Sequence, residues 1–382
     1  MKIGFVLDDR LDKPDGVQQY VSLLGSWLTS EGNEVHYLVG DSPNALQKNV
    51  HSLGKTINVR FNKNRMSIPL PARMKNIREL LEKEQFDILH VQMPYSPLLA
   101  GKVVRAAPKN TAIVGTFHIL PHGKLSALGT KALGVLLTKN KKKFAAFISV
   151  SSAAQTFARS HFGISSVVLP NVVNLSSFQK GSPIASLQDK TNIVFLGRFV
   201  ERKGVHLLVA AYKKLLQDKP QLKNSVRLVL CGDGPSRAHI EELAGDIRSS
   251  GGDVVLTGFL KEDDKKQYLA SARLAVFPST GGESFGIVLI EAMAAGSYVV
   301  LGGNNEGYAT VLGGQPESLI HAQNTTMFAR QLQTFLTDTK ACDELHKKQQ
   351  TLVKKYDITH VGPQIVAVYE QILVKRQRKV DT

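Results

Sequence analysis

The chain has 382 residues, of which 43% are hydrophobic and 21% charged, and its formal net charge is +16. This length allows two domains that each bury a core, and the composition is that of a folded globular protein. The two cysteines, Cys231 and Cys342, form neither a CxxC pair nor a Cys/His cluster. This spacing argues against a disulfide framework and against a structural zinc site, and it fits a reducing cytosol.

The positive charge is concentrated in the first half of the chain. Residues 1–172 hold 22 Lys+Arg against 11 Asp+Glu, and the remainder holds 26 against 21. No acidic residue occurs between Asp87 and Asp189, a window of 101 residues with eleven basic ones. This imbalance indicates an anionic partner: a membrane surface, a nucleic acid or an anionic substrate. The alternative is that the basic residues only form a solvated surface.

The N-terminal segment predicts the first unit of an open parallel sheet. MKIGFVLDD indicates a strand and not a signal peptide, because acids follow the short apolar run. A helix follows, with Val17, Val21, Leu24 and Leu28 on one face, and EVHYLVG is the next strand. There is no GxGxxG fingerprint, which argues against a dinucleotide site. Gly16 either lets backbone N–H groups approach a phosphate or serves as a simple turn residue.

Two further strands, DILHV and AIVGTF, precede a basic segment. His118 follows AIVGTF, at the strand end where open α/β sheets place ligands. Residues 124–143, which begin at Lys124, predict an amphipathic helix with a basic face. Such a helix either lies on an anionic bilayer or packs on the core with its lysines solvated. No apolar run reaches the roughly 18 residues of a membrane span.

A linker near residues 172–190 separates this series from a second one. The linker is rich in Ser, Gly and Pro, and strands and helices alternate again after it. We therefore predict two Rossmann-like lobes facing one cleft. The long amphipathic segment His360–Lys379 exceeds the needs of the second sheet, and we expect it to cross back to the first domain.

The second lobe contains the most informative stretch, GGESFGIVLIEAMAAG at residues 281–296. The glycines and the apolar run predict a loop that feeds a helix, with Glu283 at the helix mouth and Glu291 about two turns further on. A helix N-terminus attracts phosphate, and carboxylates accept hydrogen bonds from sugar hydroxyls. This combination suits a nucleotide-sugar; the alternative is a capped, packed helix.

Two other strand ends carry residues suited to the same ligand. GRFVERKG supplies Arg198 and Lys203 around a helix start, a pair of cations suited to pyrophosphate. Gly232 and Asp233 lie in the turn after VRLVLC, where the backbone can pass close to a ligand. In a parallel sheet these ends meet at one edge.

The motifs GRFVERKG, CGDGP and GGESFGIVLIEAMAAG resemble the nucleotide-sugar half of GT-B-fold glycosyltransferases of family 4, whose hallmark is Glu, seven residues, Glu. With DGVQQYV and GTFH, the chain most resembles the phosphatidyl-myo-inositol mannosyltransferases within that family. The resemblance spans residues 1–370. It implies an α/β fold of two doubly wound domains facing a central cleft, with an acceptor domain at 1–172, a donor domain at 173–359, and the helix 360–382 packed on the first.

The resemblance also implies roles for individual residues. Arg198 and Lys203 would bind the diphosphate, Glu283 the transferred sugar, and Glu291 the ribose. His118 would lie beside the reacting sugar. The implied catalytic residues are His118, Arg198, Lys203 and Glu283. The implied donor-binding residues are Gly16, Arg198, Lys203, Gly232, Asp233, Glu283, Ser284, Phe285, Gly286, Ile287 and Glu291. The implied acceptor-binding residues are Asp9, Gln18, His118 and Lys124.

The expected function is retaining transfer of mannose from GDP-mannose to a lipid-linked polyol such as phosphatidylinositol. The resemblance implies no tightly bound cofactor and no metal ligand, although a divalent cation is compatible with the chemistry. The expected partners are the nucleotide-sugar and an anionic membrane surface or lipid acceptor, without nucleic acid. The enzyme is expected to be a monomer or weak oligomer, peripheral at the inner face of the cell membrane.

Two alternatives remain open at this point. The first is a family-4 transferase that uses a UDP-sugar for polysaccharide, glycolipid or small-molecule glycosylation; Asp9, where the inositol-lipid enzymes have an aromatic residue, leaves it open. The second is a non-catalytic basic protein that binds a nucleotide or nucleic acid, which would need more aromatic residues interleaved with its basic ones.

Overall fold

The computed structural model describes residues 1–12, 15–54, 56–61, 64–69, 72–118 and 140–380. It contains two compact units. The first comprises Met1–Val172 and the C-terminal segment from Ile358, and the second comprises Val173–Asp357.

The first unit is built on a seven-stranded sheet of order β3-β2-β1-β6-β7-β8-β9, in which every pairing is parallel. Its strands are β1 (Lys2–Val6), β2 (Glu34–Val39), β3 (Val50–Ser52), β6 (Ile88–Gln92), β7 (Ala112–Phe117), β8 (Ala146–Ser149) and β9 (Val167–Val168). A separate antiparallel hairpin consists of β4 (Thr56–Phe61) and β5 (Asn64–Pro69). The helices are α1 (Gly16–Ser30), α2 (Met74–Glu84), α3 (Leu99–Ala106), α4 (Ser152–Phe162) and α13 (Ile358–Val380).

Helices α1 and α13 close one face of this sheet. In α1 the predicted face is largely confirmed, because Val21, Leu24 and Leu28 are buried. The apolar face of α13, which includes Val361 and Ile365, belongs to the same core cluster as α1 and β1. The C-terminal helix is therefore part of the first unit's core.

The second unit is built on a six-stranded parallel sheet of order β12-β11-β10-β13-β14-β15. Its strands are β10 (Thr191–Leu196), β11 (Val226–Cys231), β12 (Asp253–Gly258), β13 (Leu274–Phe277), β14 (Val299–Gly303) and β15 (Leu319–Ile320). Its helices are α5 (Leu175–Phe178), α6 (Val205–Asp218), α7 (Arg237–Ser249), α8 (Glu262–Ala270), α9 (Ile287–Ala294), α10 (Glu306–Leu312), α11 (Thr325–Thr337) and α12 (Thr339–Val353).

Both sheets reverse their strand order once. The reversal lies between β1 and β6 in the first sheet and between β10 and β13 in the second. Open α/β sheets bind ligands outside the carboxyl ends of the strands at this position. In the second unit the loops at this position are 197–204 and 278–286, which contain GRFVERKG and GGESFG.

Two local expectations differ from the structure. The strand predicted over SSVVLPNVV is limited to Val167–Val168, because Pro170 has no N–H to continue a ladder at the sheet edge. The hairpin β4–β5 was not predicted, since residues 60–78 show a mixture of basic residues and prolines. The predicted basic helix 124–143 falls mostly outside the described residues.

Within the ranges given above, every helix is too short or too polar to cross a bilayer.

Candidate functional site

Two loops and one strand end of the second unit are joined by backbone hydrogen bonds at the carboxyl edge of the sheet. Gly197 N donates to Cys231 O at 2.9 Å, and Phe199 N donates to Asp233 O at 2.9 Å. Gly232 N donates to Gly258 O, also at 2.9 Å. The loops after β10 and β11 and the last residue of β12 therefore form one continuous backbone surface.

Gly232 is required by this close approach. A Cβ atom at this position would lie 1.9 Å from the carbonyl oxygen of Gly197, and the φ angle of 146° is unfavourable for other residues. Asp233 next to it is exposed, and its Oδ1 accepts a hydrogen bond from Gly234 N at 2.7 Å. The turn is thus a rigid backbone platform at the sheet edge.

Glu283 lies at the centre of a charge cluster beside this platform. Its Oε1 is 2.7 Å from Nη1 of Arg202, 2.9 Å from Nζ of Lys203 and 2.8 Å from Oγ of Ser279. Burial raises the pKa of Glu283, but Lys203 and Arg202 lower it by more, so the pKa lies below its ordinary value. The carboxylate is therefore ionised and held in one position.

Arg202 was not singled out from the sequence, although it lies within GRFVERKG. A short 3₁₀ helix, Glu201–Lys203, directs Arg202 and Lys203 to the same carboxylate. Arg198, for which diphosphate binding was predicted, is exposed on the same loop. The local backbone turn, which spacing alone does not reveal, decides which cation contacts Glu283.

The loop that contains Glu283 leads into α9 through Gly286. Gly286 is the N-cap, with a φ of 107°, and a Cβ atom there would lie 2.6 Å from the ring of Tyr308. Glycine cannot cap with a side chain, and Leu289 N donates to Gly286 O at 3.0 Å. The N–H groups of Ile287 and Val288 therefore lie at a helix start that suits an anion. Ser284 is half-buried in the same loop.

Phe285 was predicted to bind the donor, and its ring is turned away from solvent. Its side chain is 1% exposed and packs edge-on against Tyr356 with ring centroids 5.5 Å apart. Only the backbone of Phe285 can face a ligand. The aromatic ring instead fixes the loop to the body of the second unit.

Glu291 is the fifth residue of α9, one turn into the helix, because the helix begins at Ile287 and not nearer to Glu283. Its carboxylate is buried and lies 2.8 Å from Nζ of Lys265, which also lies 2.8 Å from Glu262. Burial lowers the pKa of Lys265, but the two carboxylates raise it by more, so the net pKa is raised. Lys265 was missed because it comes from α8, and no motif links it to Glu291.

The first-unit candidates lie near the ends of β1 and β7. His118 is buried, its Nε2 lies 2.6 Å from Oε1 of Gln92, and its ring packs edge-on against Tyr20. Burial lowers the pKa of His118 to about 3, so the imidazole is neutral. Gln18 lies on the buried face of α1, and Gly16 is the first residue of that helix.

The other two acceptor candidates have different positions. Asp9 is half-buried, its Oδ1 accepts from Arg10 N at 2.8 Å, and its carbonyl accepts from Gly40 N. The neighbouring Asp8 is the more buried acid and accepts from Ala100 N at 2.7 Å, and burial raises its pKa. Lys124 lies outside the described residues.

One group of three metal-ligand side chains occurs in the described part of the chain, in the first unit: His36, His51 and Glu84. Nδ1 of His36 lies 2.8 Å from Nε2 of His51, and Lys2 Nζ lies 2.7 Å from Glu84. The carboxylate is already paired with a cation, and the ring nitrogens hydrogen-bond to each other. The group is thus a satisfied polar cluster.

Two family models match the chain. "Glycosyl transferases group 1" matches residues 180–352, and "Glycosyltransferase Family 4" matches residues 14–177. The phosphatidyl-myo-inositol mannosyltransferase of Mycolicibacterium smegmatis is 30% identical over 376 residues, which cover 97% of this chain and 94% of that protein. The chain belongs to glycosyltransferase family 4.

A second similar protein is the phosphatidyl-myo-inositol mannosyltransferase of Mycobacterium tuberculosis strain H37Rv. It is 30% identical over 381 residues, covering 97% of both proteins. Family membership confirms the resemblance and the enzyme class inferred from the motifs, and it decides against a non-catalytic binding protein.

Solved structures confirm the GT-B fold. A glycosyltransferase from Rickettsia africae ESF-5 aligns with a TM-score of 0.75 at 17% identity, covering 97% of this chain and 98% of that one. HepE of Anabaena in complex with UDP-glucose aligns with a TM-score of 0.72 at 18% identity, covering 97% and 100%. At these identities the likeness extends to the fold alone.

Proposed function

We propose that the enzyme transfers mannose from GDP-mannose to a lipid-linked polyol such as phosphatidylinositol, with retention of the anomeric configuration. The observation that carries the proposal is the position of Glu283, which is held by Arg202 and Lys203 beside the uncapped start of α9. A fixed carboxylate suits the hydroxyls of a transferred sugar. Adjacent cations and free N–H groups suit the diphosphate.

Each donor residue has a role in this proposal. Arg198 and Lys203 neutralise the charge of the departing diphosphate, and Glu283 orients the sugar through its hydroxyls. Glu291, which Lys265 holds in place, accepts hydrogen bonds from the hydroxyl groups of the ribose. The rate then derives from positioning and from stabilisation of the leaving group, without a pair of catalytic carboxylates.

The acceptor assignment depends on the first unit and on the relatives. The M. smegmatis and M. tuberculosis proteins are described as phosphatidyl-myo-inositol mannosyltransferases and match over 97% of this chain. The excess of basic residues over residues 1–172 supports an anionic partner. We place the enzyme at the cytoplasmic face of the membrane, with His118, Gln18 and Asp9 on the acceptor side.

A radiochemical assay tests the donor and the acceptor together. The purified enzyme is incubated with radiolabelled GDP-mannose and liposomes that contain phosphatidylinositol, and the label in the organic phase is measured. We expect an organic-soluble product whose mannose is α-linked by NMR. Parallel reactions with UDP-glucose and with phosphatidylcholine liposomes are the controls. Faster transfer from the UDP-sugar, or no stimulation by phosphatidylinositol, would refute the assignment.

Membrane association has a separate test. Liposomes with anionic lipid should sediment the protein at low salt and release it at high salt, because the screening length falls from about 30 Å at 0.01 M to about 3 Å at 1 M. Equal sedimentation with neutral liposomes would contradict an electrostatic contribution.

A further inference from the structure

The face of the first sheet that α1 and α13 cover contains a group of buried polar side chains. His90, Gln92 and Thr116 are completely buried, and His118 is 4% exposed. The other side chains that β6 and β7 place on this face are apolar and belong to the core. Burying polar groups in such a layer lowers stability unless each of them is hydrogen-bonded. The hydrogen bonds within the group therefore decide what it does.

Gln92 and His118 are brought together by the register of two parallel strands. Gln92 is the last residue of β6 and is paired with Thr116 of β7. His118 lies two residues beyond Thr116, and side chains two positions apart on a strand point to the same face. The distance from Nε2 of His118 to Oε1 of Gln92 is 2.6 Å. The sheet itself thus sets this contact.

The amide of Gln92 is held in one orientation. Its Nε2 donates to the main-chain carbonyl of His90 at 3.3 Å. Because a carbonyl oxygen only accepts hydrogen bonds, the NH₂ side of the amide must face it. The other side of the amide, Oε1, faces His118 and has no hydrogen to donate. The proton of that hydrogen bond must therefore be on Nε2 of His118.

The proton on Nε2 determines what the other ring nitrogen of His118 can do. Burial lowers the pKa of His118 to about 3, so the ring is neutral and carries a single N–H proton. Nδ1 then has a lone pair and no proton. Such a nitrogen accepts a hydrogen bond from a hydroxyl group, but it cannot donate one to a phosphate or a carbonyl oxygen.

Further contacts hold the two partners in place. The ring of Tyr20 packs edge-on against that of His118, with centroids 4.9 Å apart. His90, whose carbonyl holds the amide, is fixed at both ring nitrogens. Its Nδ1 lies 2.6 Å from the hydroxyl of Tyr369, and its Nε2 lies 2.6 Å from Oγ1 of Thr116. Because Tyr369 belongs to α13, the C-terminal helix is part of this support.

We propose that Gln92 is a positioning residue, which fixes the proton of His118 on Nε2 and presents Nδ1 to a substrate hydroxyl as a hydrogen-bond acceptor. The contact with substrate rests on the proposed function, in which His118 lies on the acceptor side. The fixed tautomer does not rest on it, because it is a property of the free enzyme. In this arrangement His118 assists transfer as a neutral acceptor and not as a cation or a proton donor.

The tautomer is measured by NMR on the full-length enzyme labelled with ¹⁵N in its histidines, at pH 7.5. Long-range ¹H–¹⁵N correlations distinguish the two ring nitrogens, because a protonated nitrogen resonates far upfield of an unprotonated one. The chain has 11 histidines, and the signals of His118 are those that disappear in His118→Gln. We expect a single tautomer with Nε2 protonated and Nδ1 unprotonated.

Two variants test whether Gln92 fixes this tautomer. Gln92→Leu removes the amide and keeps a side chain of similar size, and we expect the His118 signals to become those of a mixture of tautomers. The control is Gln349→Leu in the second unit. Gln349 is also a buried glutamine, and its amide bonds to the backbone N and O of Val300 at 2.9 and 2.8 Å. This variant loses a comparable amide and should leave the His118 signals unchanged.

Kinetics distinguish positioning from a contribution to stability alone. Gln92→Leu should lower kcat for sugar transfer about tenfold, the effect of one misplaced hydrogen bond. Its affinity for GDP, measured by calorimetry, should be unchanged, because the proposed diphosphate-binding cations lie in the second unit. Gln349→Leu should leave kcat unchanged, and thermal melting of both variants shows how much stability each has lost.

Three results would overturn the proposal: a proton on Nδ1 of His118 in the wild type, an unchanged tautomer in Gln92→Leu, or an equal change in Gln349→Leu. The first measurement needs only the wild-type enzyme, so it decides the question even where Gln92→Leu fails to fold. Absence of transfer from GDP-mannose would refute the proposed function and would leave the tautomer result intact.

Discussion

Oε1 of Glu283 lies 2.7 Å from Nη1 of Arg202, although the two residues are 81 positions apart in the chain. The contact joins the loops after β10 and β13, which flank the point where the strand order reverses. Lys203 completes the cluster at 2.9 Å. Two cations thus hold one acid at the position where open α/β sheets bind ligands.

Replacing Glu283 separates sugar positioning from diphosphate binding. Glu283→Gln should lower kcat/KM for sugar transfer by about 100-fold, because a fixed charged acceptor is lost. GDP affinity, measured by calorimetry, should stay equal or increase, because Arg202 and Lys203 lose their competing carboxylate. Glu344→Gln, an exposed acid on α12, is the control. Unchanged transfer would refute the role of Glu283.

The pair Lys265–Glu291 predicts a stability effect. Lys265→Met leaves the Glu291 carboxylate buried without its partner, at a cost of about 3–5 kcal/mol. The free energy of unfolding is measured in urea by circular dichroism. The double variant Lys265→Met, Glu291→Leu should recover part of the loss, since no buried charge remains. If the double variant is less stable than the single one, the ion pair is not the cause.

Two glycines at positive φ provide a matched comparison around α9. Gly286→Ala should cost about 1–2 kcal/mol for the backbone angle and a further 1–3 kcal/mol, roughly, for overlap with Tyr308. Gly296→Ala has a similar φ of 84° but meets no atom within 4 Å, so only the first cost applies. Thermal melting distinguishes them. Equal losses would show that the Tyr308 contact relaxes without cost.

The first unit should lose stability as the pH falls below 6.5. Burial lowers the pKa of His90 and of His118 from the ordinary 6.5 to about 3. The unfolded chain therefore binds protons between these values while the folded chain does not. The contribution of the two neutral histidines to the free energy of unfolding is fully present above pH 6.5 and falls as the pH approaches 3. At pH 5 the loss is about 2 kcal/mol per histidine, relative to its value above pH 6.5.

The variant His90→Gln identifies this contribution. His90 bonds to Tyr369 and Thr116 at 2.6 Å each, so the variant is less stable at every pH. Its loss of stability between pH 7.5 and pH 5, measured by urea unfolding, should nevertheless be about 2 kcal/mol smaller than that of the wild type. An identical pH dependence would show that His90 is not buried in its neutral form.

Much of the fold was predictable because hydrophobic periodicity depends on local sequence. AIVGTF is strand β7 from Ala112 to Phe117, and the apolar face of α1 is buried as expected. Glu283 was correctly placed in the loop before α9, since two glycines precede it and an apolar run follows. The short extent of the edge strand β9 and the hairpin β4–β5 were not predicted, because pairing at an edge depends on neighbours that periodicity does not specify.

The sequence by itself determined the two βα series, the family and the residue types that suit a nucleotide-sugar, since these depend on local pattern and motif. Only the tertiary structure decided that Arg202 contacts Glu283, that Lys265 neutralises Glu291, and that the Phe285 ring faces the core. Each of these contacts joins segments that are distant in the chain. Their geometry follows from how parallel strands bring their carboxyl ends to one edge, and spacing along the sequence does not record it.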